Sequence, residues 1–217
     1  RGSVIFNFFM SSNLKKIISG DWRDPIVEGD SIFMADGKII SVGHVSDKDI
    51  QDADVVIDAD GATAIPGLID SQVHNTFGDY TPRQKTVGFL ESYVHGGTTT
   101  CISASEVHVP GRPKDPEGVK ALALAAKRCF DDYRPGGMKV FAGSIILEPG
   151  LTEADFQEMA KKGIWLAKAG FGAVKSPYDY APMVGWAKAA GMITTVHTGG
   201  SSIPGSSGIW VDHLLKM

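Results

Sequence analysis

At 217 residues, 43% hydrophobic and 21% charged, the chain has the make-up of an ordinary globular protein, one medium domain or two small ones. A net charge of −4 without a basic cluster argues against a nucleic-acid partner, and no apolar run approaches the roughly 20 residues that span a bilayer. Two cysteines, Cys101 and Cys129, exclude a disulfide scaffold and read as free thiols of a cytoplasmic protein.

The chain opens on Arg1-Gly2-Ser3 and an apolar run over 4–10. That run is short and wrongly flanked for a signal peptide, so residues 1–9 read as a non-native leader ahead of a start at Met10. Short strands follow at 16–18, 31–34, 38–43 and 55–58. Asp36-Gly37 is a hairpin turn signal, Asp60-Gly61 marks a second turn, and the charged stretch 47–52 reads as exposed. Residues 1–64 thus form a small all-β module.

After Ala64 the rhythm changes. Strands are expected at 65–70, 98–103, 138–146, 164–168 and 192–197. Between them lie helices at 82–95, stopped by Gly96-Gly97, and at 116–130. A third helix starts at Thr152, with Glu153 and Asp155 suiting its dipole, and stops near Gly163. A fourth spans 181–190, closed by Gly191, and a last one begins at Val211. Strands alternating with helices imply parallel βα units over 65–217. Five strands suit either part of an eight-stranded barrel or a doubly wound sheet, and periodicity alone does not choose. No 20–50-residue repeat is present.

The residues that carry chemistry begin at Asp70-Ser71-Gln72-Val73-His74. Residues two apart on a strand share a face, so Gln72 and His74 aim the same way, toward the strand's C-terminal end. Two more candidates end later strands: Lys168, with Lys175 as its rival, and His197. His108 lies in the loop after the second strand. His95 suits a helix C-terminus, where a cation complements the dipole. His44 and His213 read as surface residues, and Cys101 as core.

The string Pro66-Gly67-Leu68-Ile69-Asp70, then x-Gln-x-His, resembles the signature of the amidohydrolase superfamily. The resemblance implies an α/β fold: a (β/α)8 TIM-like metal-dependent hydrolase barrel, cut after about strand five and preceded by part of a small β-sandwich. It implies that His74 binds metal, with Gln72 where the family has a second histidine. A glutamine amide is a poor zinc ligand beside imidazole, so the ligand count drops or Gln72 binds weakly through its carbonyl. Lys168 falls where members place a carboxylated lysine or a glutamate bridging two metals. His197 falls where they place a metal-binding histidine. The catalytic aspartate and a further histidine would follow Met217.

Four further stretches, 78–85, 110–115, 146–153 and 197–207, resemble the branch that opens a cyclic enamide in nicotinate fermentation. That implies hydrolysis of a cyclic-amide C–N bond by a metal-bound hydroxide, with zinc and/or iron, one or two ions per full-length chain. It also implies a cytoplasmic homotetramer acting on a small cyclic amide, with no nucleic acid or membrane partner. Arg83, Arg112, His108, Thr198 and Gly199 are candidates for holding the substrate, the arginines through their bidentate fork. Three alternatives stay open. One is a hydantoinase- or imidazolonepropionase-like enzyme on the same scaffold, and another is a homologue inactivated at Gln72. A nucleotide-binding domain is the third, although no Gly-x-Gly-x-x-Gly follows the first strand.

Overall fold

The computed structural model describes residues 8–75, 85–199 and 209–216, and divides into two compact units, Arg1–Pro66 and Gly67–Met217. The division falls two residues beyond the expected boundary.

The first unit is built from β1 (Phe8–Ser12), β2 (Lys16–Ile18), β3 (Ile26–Val27), β4 (Ser31–Ala35), β5 (Lys38–Gly43), α1 (Asp47–Asp52), β6 (Val55–Asp58) and β7 (Thr63–Ala64). The strands form two sheets, ordered β5-β4-β1-β6 and β3-β2-β7. Asp36 and Gly37 both have positive φ (50° and 72°), the backbone a type I′ hairpin turn demands between β4 and β5. The strand β1 was not expected as such. It lies inside its sheet, with Phe9 opposite Met34 on one side and Val55 on the other. The sheet therefore starts two residues before Met10, inside the segment read as a leader. Alternation buries Met10, Phe33 and Ile17. The charged stretch 47–52 is the helix α1, capped by Ser46, whose hydroxyl accepts from the Asp49 N–H.

The second unit alternates strand and helix: β8 (Leu68–Val73), α2 (Lys85–His95), β9 (Thr98–Ser103), α3 (Pro116–Asp132), β10 (Lys139–Phe141), β11 (Ile145–Ile146), α4 (Glu153–Lys161), β12 (Leu166–Ala169), α5 (Ala181–Ala189), β13 (Ile193–Val196) and α6 (Val211–Leu214). Its first strand sits three residues later than expected. Gly67 lies against Thr99, where a Cβ would come within 2.0 Å of the Thr99 hydroxyl oxygen, and pairing begins at Leu68, whose N–H donates to Gly97 O. The expected strand 138–146 is two strands. Gly143 turns the chain between them at φ 94°, where a Cβ would come within 2.6 Å of Ala123 O. As a result β10 pairs with β9, and β11 pairs with β12.

All described pairings in this unit are parallel, and the order is sequential: β8-β9-β10 and β11-β12-β13. A doubly wound sheet reverses its order at a switch point. No reversal occurs among the described strands. Two apolar clusters lie between strands and helices. One gathers Val73, Leu90, Cys101 and Phe130; the other gathers Ile145, Phe156, Ala167, Ala169 and Tyr180. Because Val73 points into the first cluster, its neighbours Gln72 and His74 belong to the opposite face. The same alternation sets Lys168 opposite Ala167 and Ala169. The helices α3 and α4 are joined by Lys120, whose ammonium donates to Asp155 (2.8 Å) and Glu158 (3.2 Å).

Candidate active site

His74 follows β8, His108 lies in the loop after β9, Lys168 sits within β12 and His197 follows β13. The sheet registers bring the C-terminal strand ends together, and His197 N–H donates to Ala169 O at 3.1 Å. At the centre is Phe171. Its ring lies 5.1 Å from that of His197, 6.1 Å from His74 and 6.3 Å from His108, and His74 meets His108 edge-on at 5.2 Å. The Lys168 ammonium nitrogen lies 5.7 Å from the Phe171 ring centre.

Lys168 is fully buried, and its Nζ has no hydrogen-bond partner among the described residues. Burial disfavours the ammonium form and lowers the lysine to about 8. His74 is half-buried, with Nδ1 2.9 Å from Ser105 O. A carbonyl only accepts, so Nδ1 carries the hydrogen and Nε2 keeps its lone pair for a ligand. Burial holds His74 below its ordinary value; the Ser105 bond opposes this, and Lys168, His108 and His197 reinforce it. Ser105 itself is buried with φ 87°, unusual for a residue bearing a side chain. That strained carbonyl fixes the tautomer of His74.

The backbone around Phe171 is tied down from several sides. Arg112 donates through Nη1 to Glu148 Oε1 at 2.8 Å and through Nη2 to Phe171 O at 2.9 Å. Glu148, fully buried, accepts on its other oxygen from Ala173 N–H at 2.7 Å. Gly172 N–H donates to the Tyr180 hydroxyl at 2.9 Å. A Cβ on Gly170 would sit 2.8 Å from His197 Cβ, and one on Gly172 would sit 2.2 Å from Leu147 O. Only glycine allows these approaches.

The structure thus gathers four of the candidates, His74, His108, Lys168 and His197. Gln72 is an exposed strand residue on the His74 face and is not among these contacts. Its own N–H is taken by Asp70 Oδ1, at an irregularity in the pairing of β8 with β9. Lys175, the rival to Lys168, is exposed, which favours Lys168. Arg112 departs from the expectation of a substrate clamp. Its guanidinium is already held by Glu148, Phe171 O and Pro113 O, so it ties loops together. Arg83 lies outside the described residues. Thr198 is exposed, and Gly199, at φ 74°, donates to Ile209 O in the loop after β13.

Two residues escaped the sequence reading. Phe171 carried no motif, although glycines on both sides hint at a crowded turn. Glu106 is 2% exposed, with one oxygen accepting from Ser103 Oγ at 3.0 Å and the other without a partner among the described residues. Burial pushes its carboxyl up to about 8, and the Ser103 bond only partly offsets this. Among the described residues no three His, Cys, Asp or Glu side chains converge as a metal set. The donors that fit a divalent ion here are His74 Nε2, His197 and the orphaned Lys168.

No family model matches the chain. It is 50% identical to enamidase of Eubacterium barkeri over 206 residues, which is 94% of this chain and 53% of that protein. It is 28% identical to allantoinase of Bacillus licheniformis over 183 residues, 79% of this chain and 38% of that one. Its fold superposes on a crystal structure of enamidase, described as a member of the amidohydrolase superfamily, with a TM-score of 0.85 at 47% identity, covering 96% of this chain and 55% of that one. The chain therefore spans about half the length of the enamidase it matches. By sequence and by fold, the chain is similar to enamidase, a member of the amidohydrolase superfamily, over about half of that protein's length.

Proposed function

We propose that the protein hydrolyses the C–N bond of a small cyclic amide, an enamide first of all, on a (β/α)8 barrel to which residues 67–217 contribute five consecutive strand positions. The likeness to enamidase and the sequential parallel order support this reading. Residues 8–64 would then be part of the small β-sandwich that such enzymes carry.

The observation that carries the reading is Lys168, buried and without a partner among the described residues, beside the Phe171 ring that also meets His74 and His197. A lysine lowered toward neutrality has an amine able to add to CO2, losing a proton and gaining two carboxylate oxygens. With that carbamate, His74 Nε2 and His197, the chain offers a mixed nitrogen and oxygen donor set that suits zinc or iron. A divalent ion held there supplies Lewis acidity and lowers the pKa of water. The chain's own residues do the rest. Ser105 O orients His74, Phe171 keeps water from Lys168, and His108, Thr198 and Gly199 stand where a substrate ring is to be oriented. Cytoplasmic location and a homotetramer belong to the same proposal.

Elemental analysis of the purified protein, with ammonia release from a cyclic enamide, tests this. The expected result is zinc or iron at one or two ions per chain, with ring opening. Lys168→Ala and His197→Ala are expected to lose both. Full metal retention in both variants would refute the ligand assignment. A second reading, with one ion and reduced or lost activity, is favoured by Gln72, which brings an amide where an imidazole would bind far better. Gln72→His is then expected to add one ion per chain.

A further inference from the structure

We infer that Phe171 is a positioning residue for the metal ligands, set in place by the Arg112–Glu148 pair. This rests on the reading of His74, Lys168 and His197 as ligands. A single ring touches all of them: 5.1 Å to His197, 6.1 Å to His74 and 5.7 Å to Lys168 Nζ. These three come from strands β8, β12 and β13, far apart in the chain. Their side chains have several rotamers each, and the described polar contacts restrain only His74, through Ser105 O. A rigid ring wedged among them removes that freedom, which is how preorganised sites reach high affinity.

The ring can do this only if its own backbone is fixed. Arg112 bridges Glu148 and Phe171 O with two separate nitrogens, and Glu148 reaches on to Ala173 N–H. The carbonyl of Phe171 and the amide two residues later are therefore anchored to one buried ion pair. Between them, Gly172 N–H is held by the Tyr180 hydroxyl. Arg112 and Glu148 have side-chain exposures of 11% and 0%, so water does not compete for these bonds. Lysine cannot replace this arrangement, because one ammonium lacks the planar fork that spans both acceptors.

The test measures zinc affinity by chelator competition, together with backbone hydrogen exchange in metal-free protein. Phe171→Ala is expected to weaken zinc binding about 10- to 100-fold, the range seen when groups supporting metal ligands are removed. Phe171→Tyr keeps the ring and is expected to stay within about threefold of the native affinity. Arg112→Lys, which alters no ligand, is expected to weaken zinc about tenfold. It is also expected to speed exchange at the Ala173 amide. Native affinity in Phe171→Ala, or unchanged zinc binding and Ala173 exchange in Arg112→Lys, overturns the inference. Absence of zinc binding by the native protein instead overturns the metal reading, and this inference with it.

Discussion

Replacing Glu106 with glutamine removes a charge that the folded chain resists and the unfolded chain accepts. The side chain is 2% exposed, and its hydrogen bond from Ser103 Oγ to Oε1 can be kept by a glutamine oxygen. Burial raises the carboxyl from 4.5 to about 8 in the folded state. The sign follows. Below pH 4.5 both states hold the proton and stability is complete. As pH rises toward 8 the unfolded state ionises while the folded state does not, so stability is lost. At 1.36 kcal/mol per pK unit, the loss comes to about 3 kcal/mol at pH 7 and about 4 kcal/mol at pH 8. That is a large share of the 5–15 kcal/mol a domain usually has. The glutamine nitrogen would stand where Oε2 lacks a partner and costs about 1–3 kcal/mol, but this cost does not depend on pH. The readout is therefore how the stability difference between native and variant changes with pH. Urea unfolding of both proteins at pH 4.5, 6, 7 and 8 supplies it. The difference is expected to move in the variant's favour by about 3–4 kcal/mol across that span. A pH-independent difference would show that Glu106 is ionised in the fold and sink the reasoning.

Three other outcomes are expected. Gly172→Ala drives a Cβ to 2.2 Å from Leu147 O and is expected to destabilise the protein by about 2–3 kcal/mol in chemical denaturation. Asp155 accepts from Thr152 N–H and Oγ, both 2.8 Å, and from Lys120. Burial raises its pKa, but Lys120 and Thr152 outweigh that and hold it below the usual carboxylate value. Its contribution is thus present at neutral pH and fades as pH falls through the depressed pKa, so Asp155→Ala is expected to cost about 2 kcal/mol at pH 7 and less near pH 3. Oxidation by a bulky disulfide reagent is expected to modify exposed Cys129 quickly and buried Cys101 only on unfolding, since burial pushes the Cys101 thiol up to about 11. Thiol counting with and without denaturant checks this.

Most of the element order was readable in the chain because local rules were enough for it. Asp36-Gly37 is a turn by backbone preference alone, and Thr98–Ser103 is a strand through its β-branched run. The helix α4 starts at Thr152 because that residue and Asp155 bond each other. Where the reading slipped, distant residues decided. The strand Phe8–Ser12 exists because β4 and β6 pair with it on either side, and the break at Gly143 because Ala123 O and the Lys127 side chain crowd it. His74, Lys168 and His197 stood out at strand ends, each carrying a side chain whose chemistry shows locally. Their meeting point did not. Phe171 becomes central only because β8, β12 and β13 bring three strands' ends to one ring, and Arg112 turns from a candidate substrate clamp into a tie because Glu148, 36 residues on, folds against it. A sequence determines what each residue can do; burial and the partners that remain within reach, set by long-range packing, decide which of those things it does.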